Sequence, residues 1–324
     1  MNASAQPTEP PPPAENLFRR KSARVDAFHY LCALAAAASV GLLFWIVFHI
    51  GYQAWPAMRA HGLSLVASSQ WNPNVGKYGI LPYLLGTVVS SLIAIGIAMP
   101  LGVLIAIFLS EDFLPPSLRQ TLRFLIELLA AIPSVVYGLW GIAVVIPLVQ
   151  SWGGLLSSKA GGWLPLLAGP AYGNSMLTAS LVLALMILPT VIAISRNALH
   201  AVPHTLREGG YALGATRWET LWGVLIPTAA PGIVASGILA LGRAMGETMA
   251  VAMLIGNSPR LSLSLLSPAG TLASLLANQF AEAQGMVVSS LMYAAVVLMV
   301  MTLMVNLVGD WILRVSQRQV KGLA

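Results

Sequence analysis

The sequence predicts an all-α integral membrane protein with six spanning helices and both termini in the cytoplasm, and three observations carry that expectation. The chain of 324 residues is 57% apolar and only 9% charged. A soluble domain carries about 25% charged residues, so too little polar side chain is present to cover a water-facing surface, which excludes a soluble enzyme. Six stretches, near 28–50, 80–109, 124–149, 174–195, 231–256 and 286–308, are long and apolar enough to cross a hydrocarbon core, which takes about 20 helical residues. Inside lipid every backbone N–H and C=O must be paired, and alternation at barrel spacing is missing, so the runs are read as helices. Positive charge is one-sided. Assigning both tails and the loops 110–123 and 196–230 to one side collects Arg19, Arg20, Lys21, Arg24, Arg119, Arg123, Arg196, Arg207, Arg217, Arg314, Arg318 and Lys321 there. Only Arg59, Lys77, Lys159 and Arg260 fall on the other side, which makes the first side cytoplasmic.

Taken in order, residues 1–27 form a disordered, Pro-rich and basic tail. Pro7 and Pro10 to Pro13 stand among polar residues that cannot bury enough apolar surface to order themselves. Arg19, Arg20 and Lys21 then precede the first apolar run. That run extends to about 23 residues with no small-residue cleavage site, so it is read as an uncleaved spanning helix and not as a signal peptide. With its outer loop it covers 28–79. Cys32 is read as a packing residue; a single cysteine excludes an intrachain disulfide and any Cys-based zinc site, and the five histidines show no His-Glu-x-x-His pattern.

Residues 80–313 make the core. Pro100, Pro133, Pro147 and Pro189 interrupt its helices, with Pro82 and Pro231 nearer helix starts. Such breaks survive in lipid where neighbours, hydroxyls or water satisfy the freed carbonyls, either along an interior pathway or at a simple kink. The outer loops set Trp55, Trp71, Trp152 and Trp163 among Pro and Gly (Pro56, Pro73, Gly153, Gly154, Gly161, Gly162), a composition suited to a membrane interface or a docking surface. Residues 314–324 form a second cytoplasmic tail. The basic residues lie between apolar runs and form no stripe, so membrane lipid is an expected partner and nucleic acid is not.

The inner loop 196–230 is the most clearly patterned segment. Pro203 suits the first position of a short helix running to Leu213, and Gly214 supplies a left-handed stop. Thr216-Arg217-Trp218-Glu219 reads as a capping box that opens a second short helix up to Ile226 and Pro227. The outline is that of a helix-turn-helix, but attachment to the bilayer at both ends and few exposed basic side chains argue against DNA. A stiff element fixed to two spanning helices converts a push from a cytoplasmic partner into helix movement. A passive connector on the membrane surface is the plainer alternative.

Here the chain resembles a known family. Glu208-Gly209-Gly210, then Gly214, then Val224-Leu225-Ile226-Pro227 resembles the signature loop of permease subunits of ABC importers, with Gly209 and Gly210 where two alanines are common and Ile226 where leucine is. Two further segments are more specific. Glu127-Leu128-Leu129-Ala130-Ala131-Ile132-Pro133-Ser134-Val135-Val136-Tyr137-Gly138 and Arg243-Ala244-Met245-Gly246-Glu247-Thr248-Met249-Ala250 are similar to the C-type permease of phosphate-specific importers. The resemblance runs from residue 17 to residue 316. It implies the type I ABC importer permease fold in a bacterial cytoplasmic membrane. It also implies that Glu208, Gly209, Gly210, Ala212, Gly214 and Ala215 dock into a groove of an ATP-hydrolysing subunit. The implied assembly adds a sister permease of A type, two copies of the ATPase subunit and a periplasmic phosphate-binding protein. No cofactor bound by this chain is implied, because ATP and magnesium are used by the partner ATPase.

Arg243 and Glu247 fall inside the fifth run, where each would cost about 2.5–3.5 kcal/mol if it faced lipid. Both are therefore expected to face protein or water. Their i, i+4 spacing predicts a shared helix face and mutual compensation, and Gly242 and Gly246 predict a closely approaching neighbour helix. The planar fork of an arginine suits an oxyanion. Arg243 is thus expected to attract or gate the anion, with Glu247 holding the guanidinium when no anion is present or repelling doubly charged solutes. An internal salt bridge that only fixes packing is the alternative. Arg123 and Glu127, also four apart, are read as a solvated pair at the interface.

No Gly-x-x-x-x-Gly-Lys-Ser/Thr loop occurs, so ATP is expected to be hydrolysed by another chain. The chain itself is not expected to be an enzyme, since no nucleophile with a base and no clustered ligands stand at membrane depth. A secondary transporter driven by an ion gradient would also carry intramembrane charges and broken helices, although the internal repeats usual in that class are not evident. On the arginine alone sulfate or molybdate remain open as cargo; phosphate follows from the resemblance.

Overall fold

The computed structural model describes residues 15–111, 113–160 and 165–321. The Pro-rich opening through residue 14 and the loop residues Gly161, Gly162 and Trp163 lie outside the described residues, as do the side chains of Arg19, Arg20, Lys21, Arg24, Lys159, Arg318 and Lys321. The chain divides into two units between Tyr52 and Gln53. Helix α1 (Glu15–His61) supplies the first unit up to Tyr52 and there exposes Phe28, Leu31, Leu34, Phe44 and Trp45, the all-round apolar surface of a helix in lipid.

The second unit continues with α2 (Ser64–Ala67) and a short antiparallel hairpin, β1 (Trp71–Asn72) and β2 (Lys77–Tyr78), with Trp71 opposite Tyr78. The helices α3 (Leu81–Ser110), α4 (Pro116–Ala131), α5 (Ser134–Trp140), α6 (Ile146–Ala160) and α7 (Met176–His200) follow. After them come α8 (His204–Ala212), α9 (Arg217–Thr220), α10 (Ile226–Gly246), α11 (Met249–Leu254), α12 (Leu272–Gln279) and α13 (Met286–Lys321). Among the described residues six helical stretches are long and apolar enough to cross a membrane: Phe28–His61, Leu81–Ser110, Ser134–Leu155, Met176–His200, Arg217–Gly246 and Met286–Arg314. The number matches the sequence expectation, but the third and fifth spans are placed differently.

The third span starts at Ser134 and not at 124. Pro133 has no N–H to donate, and Ile132 before it is extended (φ −68°, ψ 127°), so the helix must stop there. The proline leaves the Leu129 carbonyl, four residues back, without its helical donor; the Tyr137 hydroxyl donates to it at 2.8 Å. What precedes the break is a separate amphipathic helix, α4, with Arg119, Arg123 and Glu127 along one side and no buried residue.

The fifth span runs over Arg217–Gly246 and not 231–256. Pro227 and Pro231 do not interrupt it. A π turn over Leu221–Leu225 pairs the Ile226 N–H with the Leu221 carbonyl five residues back, which leaves Pro227 out of the ladder. The Thr228 hydroxyl then donates to the Val224 carbonyl at 2.6 Å. A matching π turn over Gly141–Val145 precedes Pro147, and both exits read Ile-Pro.

Helix α7 is the centre of the second unit. Val182, Leu183, Ile187 and Val191 are buried in a cluster shared with α3, α5, α10 and α11. Small residues set the close crossings, as expected where packing and not water drives helix association. A Cβ on Gly102 of α3 would stand 2.7 Å from Val191 Cγ1. The buried hydroxyls of Ser195 on α7 and Ser236 on α10 are 2.9 Å apart. A second cluster joins Ile80, Tyr83, Leu272, Leu275 and Leu291 at one end of α3, and a third joins Ile107, Leu199, Leu221 and Leu225 at its other end.

Candidate functional site

Two regions hold the predicted site residues. The first is the segment between α7 and α10. Helix α8 begins after Pro203 and closes in a Schellman turn: the Gly214 N–H donates to the Tyr211 carbonyl at 2.9 Å and the Ala215 N–H to the Gly210 carbonyl at 3.2 Å. Gly214 carries φ +82°, the left-handed stop read from the sequence. The capping box is present, with Thr216 accepting from the Glu219 N–H and the Glu219 carboxylate accepting from the Thr216 N–H at 2.7 Å. The expected second short helix, however, does not end at Ile226 and Pro227; α9 passes through the π turn into α10, so the loop is joined rigidly to the fifth span.

Side chains brace this segment against the spans. Arg207 of α8 lies 3.0 Å from a Glu111 carboxylate oxygen at the end of α3, with both side chains largely buried (14% and 12% exposed). Its second amino group donates to the Leu199 carbonyl at the end of α7 at 3.0 Å. The Trp218 ring stacks on Phe113 with 5.2 Å between centroids. The two glycines of α8 differ. A Cβ on Gly210 would stand 2.9 Å from the Thr220 side chain, whereas at Gly209 it would meet open space. Glu208, Gly209, Ala212 and Gly214 are exposed, as is Leu213, and Ala215 is half-buried.

The second region is the end of α10. Arg243 lies in its last turn and not mid-helix, but its guanidinium donates to the Thr190 hydroxyl at 3.2 Å, and Thr190 stands near the midpoint of α7. Arg243 thus reaches the middle of the fourth apolar span. The expected Arg243–Glu247 pairing is absent: no ion pair or hydrogen bond joins the two among the described residues. Helix geometry ends at Gly246, and the Glu247 backbone is extended at ψ 126°. The i, i+4 relation that would bring the charges together therefore does not exist. The Glu247 carboxylate turns instead to the first turn of α11, where it accepts from the Ala250 N–H at 3.5 Å. Of the two glycines beside Arg243, only Gly242 serves a close approach, with a Cβ there 3.1 Å from Asn306 on α13; at Gly246 it would meet nothing.

The two specific sequence segments meet here. A Cβ on Gly138 of α5 would stand 2.7 Å from Met253 Sδ and 3.3 Å from Ala250 Cα of α11, and Tyr137 lies within the field of Arg243. Thr190 and Tyr137 had no assigned part in the sequence reading. Tyr137 was traceable, since it stands four residues after Pro133, within reach of the carbonyl that proline frees. Thr190 follows Pro189 in an apolar run, but no spacing rule connects it to Arg243. Arg123 and Glu127 form the expected exposed pair at 2.9 Å.

Residues 98–322 match the family described as binding-protein-dependent transport system inner membrane component. Among curated relatives, the phosphate transport system permease protein PstC of Mesorhizobium japonicum is 41% identical over 300 residues, covering 91% of each chain. The protein of the same name from Xylella fastidiosa (strain Temecula1) is 40% identical over 307 residues, covering 92% of this chain and 94% of its own. A solved bacterial ABC transporter involved in the import of the acidic polysaccharide alginate has a subunit of the same fold, with a TM-score of 0.62 at 16% identity, covering 91% of this chain and 97% of that one. With six apolar spans, the type I importer permease architecture and this family match, the chain belongs to the binding-protein-dependent transport system inner membrane components, as a multi-pass permease of the ABC importer family.

Proposed function

We propose that this chain is the C-type permease subunit of an ATP-driven importer that carries inorganic phosphate into the cell. The observation that carries the reading is near-full-length similarity, in both directions, to permeases named for phosphate transport. The loop end of the molecule is then cytoplasmic, with both termini on that side. ATP and its magnesium are used by a separate ATPase dimer, and this chain holds no cofactor of its own. Glu208, Gly209, Gly210, Ala212, Gly214 and Ala215 dock with that ATPase. The continuous path from α9 into α10 carries its closure into the membrane.

Arg243 is the contact for the anion in transit. It is exposed on the surface of this chain and bonds to Thr190 near the middle of the fourth apolar span, and facing lipid there would cost about 2.5–3.5 kcal/mol. That face is therefore turned to a sister permease of A type and the aqueous path between the two. Held by one hydroxyl and by no carboxylate among the described residues, the guanidinium keeps most of its donors for a phosphate oxyanion. Glu247, anchored on α11, fixes the break beside it. A periplasmic phosphate-binding protein delivers the anion from the other side. Uptake of labelled phosphate into vesicles containing this chain and its sister subunit tests the reading: accumulation should require the ATPase subunit, ATP and the binding protein. Accumulation driven by an ion gradient without the ATPase would refute it.

A further inference from the structure

A second basic site stands at the loop-bearing end of the molecule. A cavity of about 540 Å³ opens between α4 and the ends of α3 and α7. Helix α4 lines it with Arg119 and Arg123, and α7 lines it with Arg196 and His200. Each pair is four residues apart, so each helix turns two basic groups toward the same gap. Gln120 adds a neutral donor. Glu127 is the one carboxylate among the described lining residues, and it is held by Arg123 at 2.9 Å. Behind the wall, Arg207 also acts on His200 but is matched by Glu111.

Arg196 is the informative group. Its Nε is buried without a hydrogen-bond acceptor among the described residues, and it lies in the fields of both Arg123 and Glu127. A buried donor left unpaired costs free energy until an acceptor joins it. Several guanidiniums around one gap match a tetrahedral oxyanion that accepts on all sides. The volume falls within the roughly 300–1,000 Å³ of small-ligand sites. Exposed Phe124, Leu125 and Leu128 on α4 also leave an apolar flank on which an acyl chain can lie.

We propose that this cavity binds a phosphoryl oxyanion, supplied either as free inorganic phosphate or as the headgroup of an anionic phospholipid. The site is separate from Arg243 and does not depend on what the protein transports. The test uses the full chain, delipidated in detergent, in two arms. In one, binding of labelled inorganic phosphate is measured at equilibrium. In the other, native mass spectrometry follows retention of phosphatidic acid, with phosphatidylcholine as the control lipid. Free phosphate as the ligand gives saturable binding that weakens about tenfold or more in Arg196→Gln and persists in Arg243→Gln. A lipid headgroup gives retained phosphatidic acid that is lost in Arg196→Gln, with no retention of phosphatidylcholine. Arg196→Lys keeps part of the binding in either case. Should Arg196→Gln fail to fold, Arg123→Gln on the exposed face of α4 repeats the comparison. Absence of binding in both arms, or binding unchanged in both Arg196→Gln and Arg123→Gln, overturns the proposal.

Discussion

Where the fifth span meets the loop, backbone and side chains are cross-braced. A Schellman turn closes α8, a capping box opens α9, Arg207 ties the loop to the ends of both α3 and α7, and Trp218 stacks on Phe113. At the other end of the same 30-residue span the helix stops at Gly246, and the charged side chains beside the break have few protein partners: Thr190 for Arg243 and the Ala250 N–H for Glu247. Under the function proposed above, the difference suits two physical tasks. A segment that passes on a push must not yield, so its groups are committed to one another. A group that meets a passing anion must have donors to spare, so it is committed to little.

Substitutions along the span should reproduce that division. The largest effect on stability is expected at the brace: Arg207→Ala leaves Glu111 mostly buried and unpaired, which costs about 3 kcal/mol and should appear as a clear fall in the melting temperature of the detergent-solubilised protein. Tyr137→Phe removes the shorter of the two bonds to the Leu129 carbonyl, leaving the Ile132 N–H at 3.4 Å, and should cost about 1 kcal/mol, with faster amide exchange across 129–137 as the readout. Gly214→Ala places a Cβ at φ +82°, a penalty of about 1–2 kcal/mol that should loosen the loop without moving the spans. The smallest effects come from the two glycines of α8 and differ in size. Gly209→Ala meets open space and should stabilise by about 0.5–1 kcal/mol. Gly210→Ala meets Thr220 and should forfeit that gain, and equal melting shifts for the two variants would contradict the close approach.

Sequence alone was a good guide wherever the signal was local. Hydropathy gave the number of spans, and the stop at Gly214 and the box from Thr216 to Glu219 followed from residues within a few positions of one another. The errors arose where a proline had to be weighed against its surroundings. Pro133 ends a helix, while Pro227 and Pro231 do not; for Pro227 the deciding feature is the π turn before it, which hydropathy does not register. The same limit explains the misplaced pairing of Arg243 with Glu247. Their spacing makes them neighbours only if the helix continues, and it stops between them. Thr190, the partner that Arg243 does have, is 53 residues away in the chain, and only tertiary packing brings it near.

The division of labour along the fifth span is tested most directly by measuring ATP hydrolysis and phosphate uptake in the same vesicles, with wild-type protein and with Arg243→Gln. The account predicts that the variant still binds the ATPase subunit and supports hydrolysis while uptake is lost. Normal uptake by the variant, or loss of ATPase binding together with uptake, would contradict it.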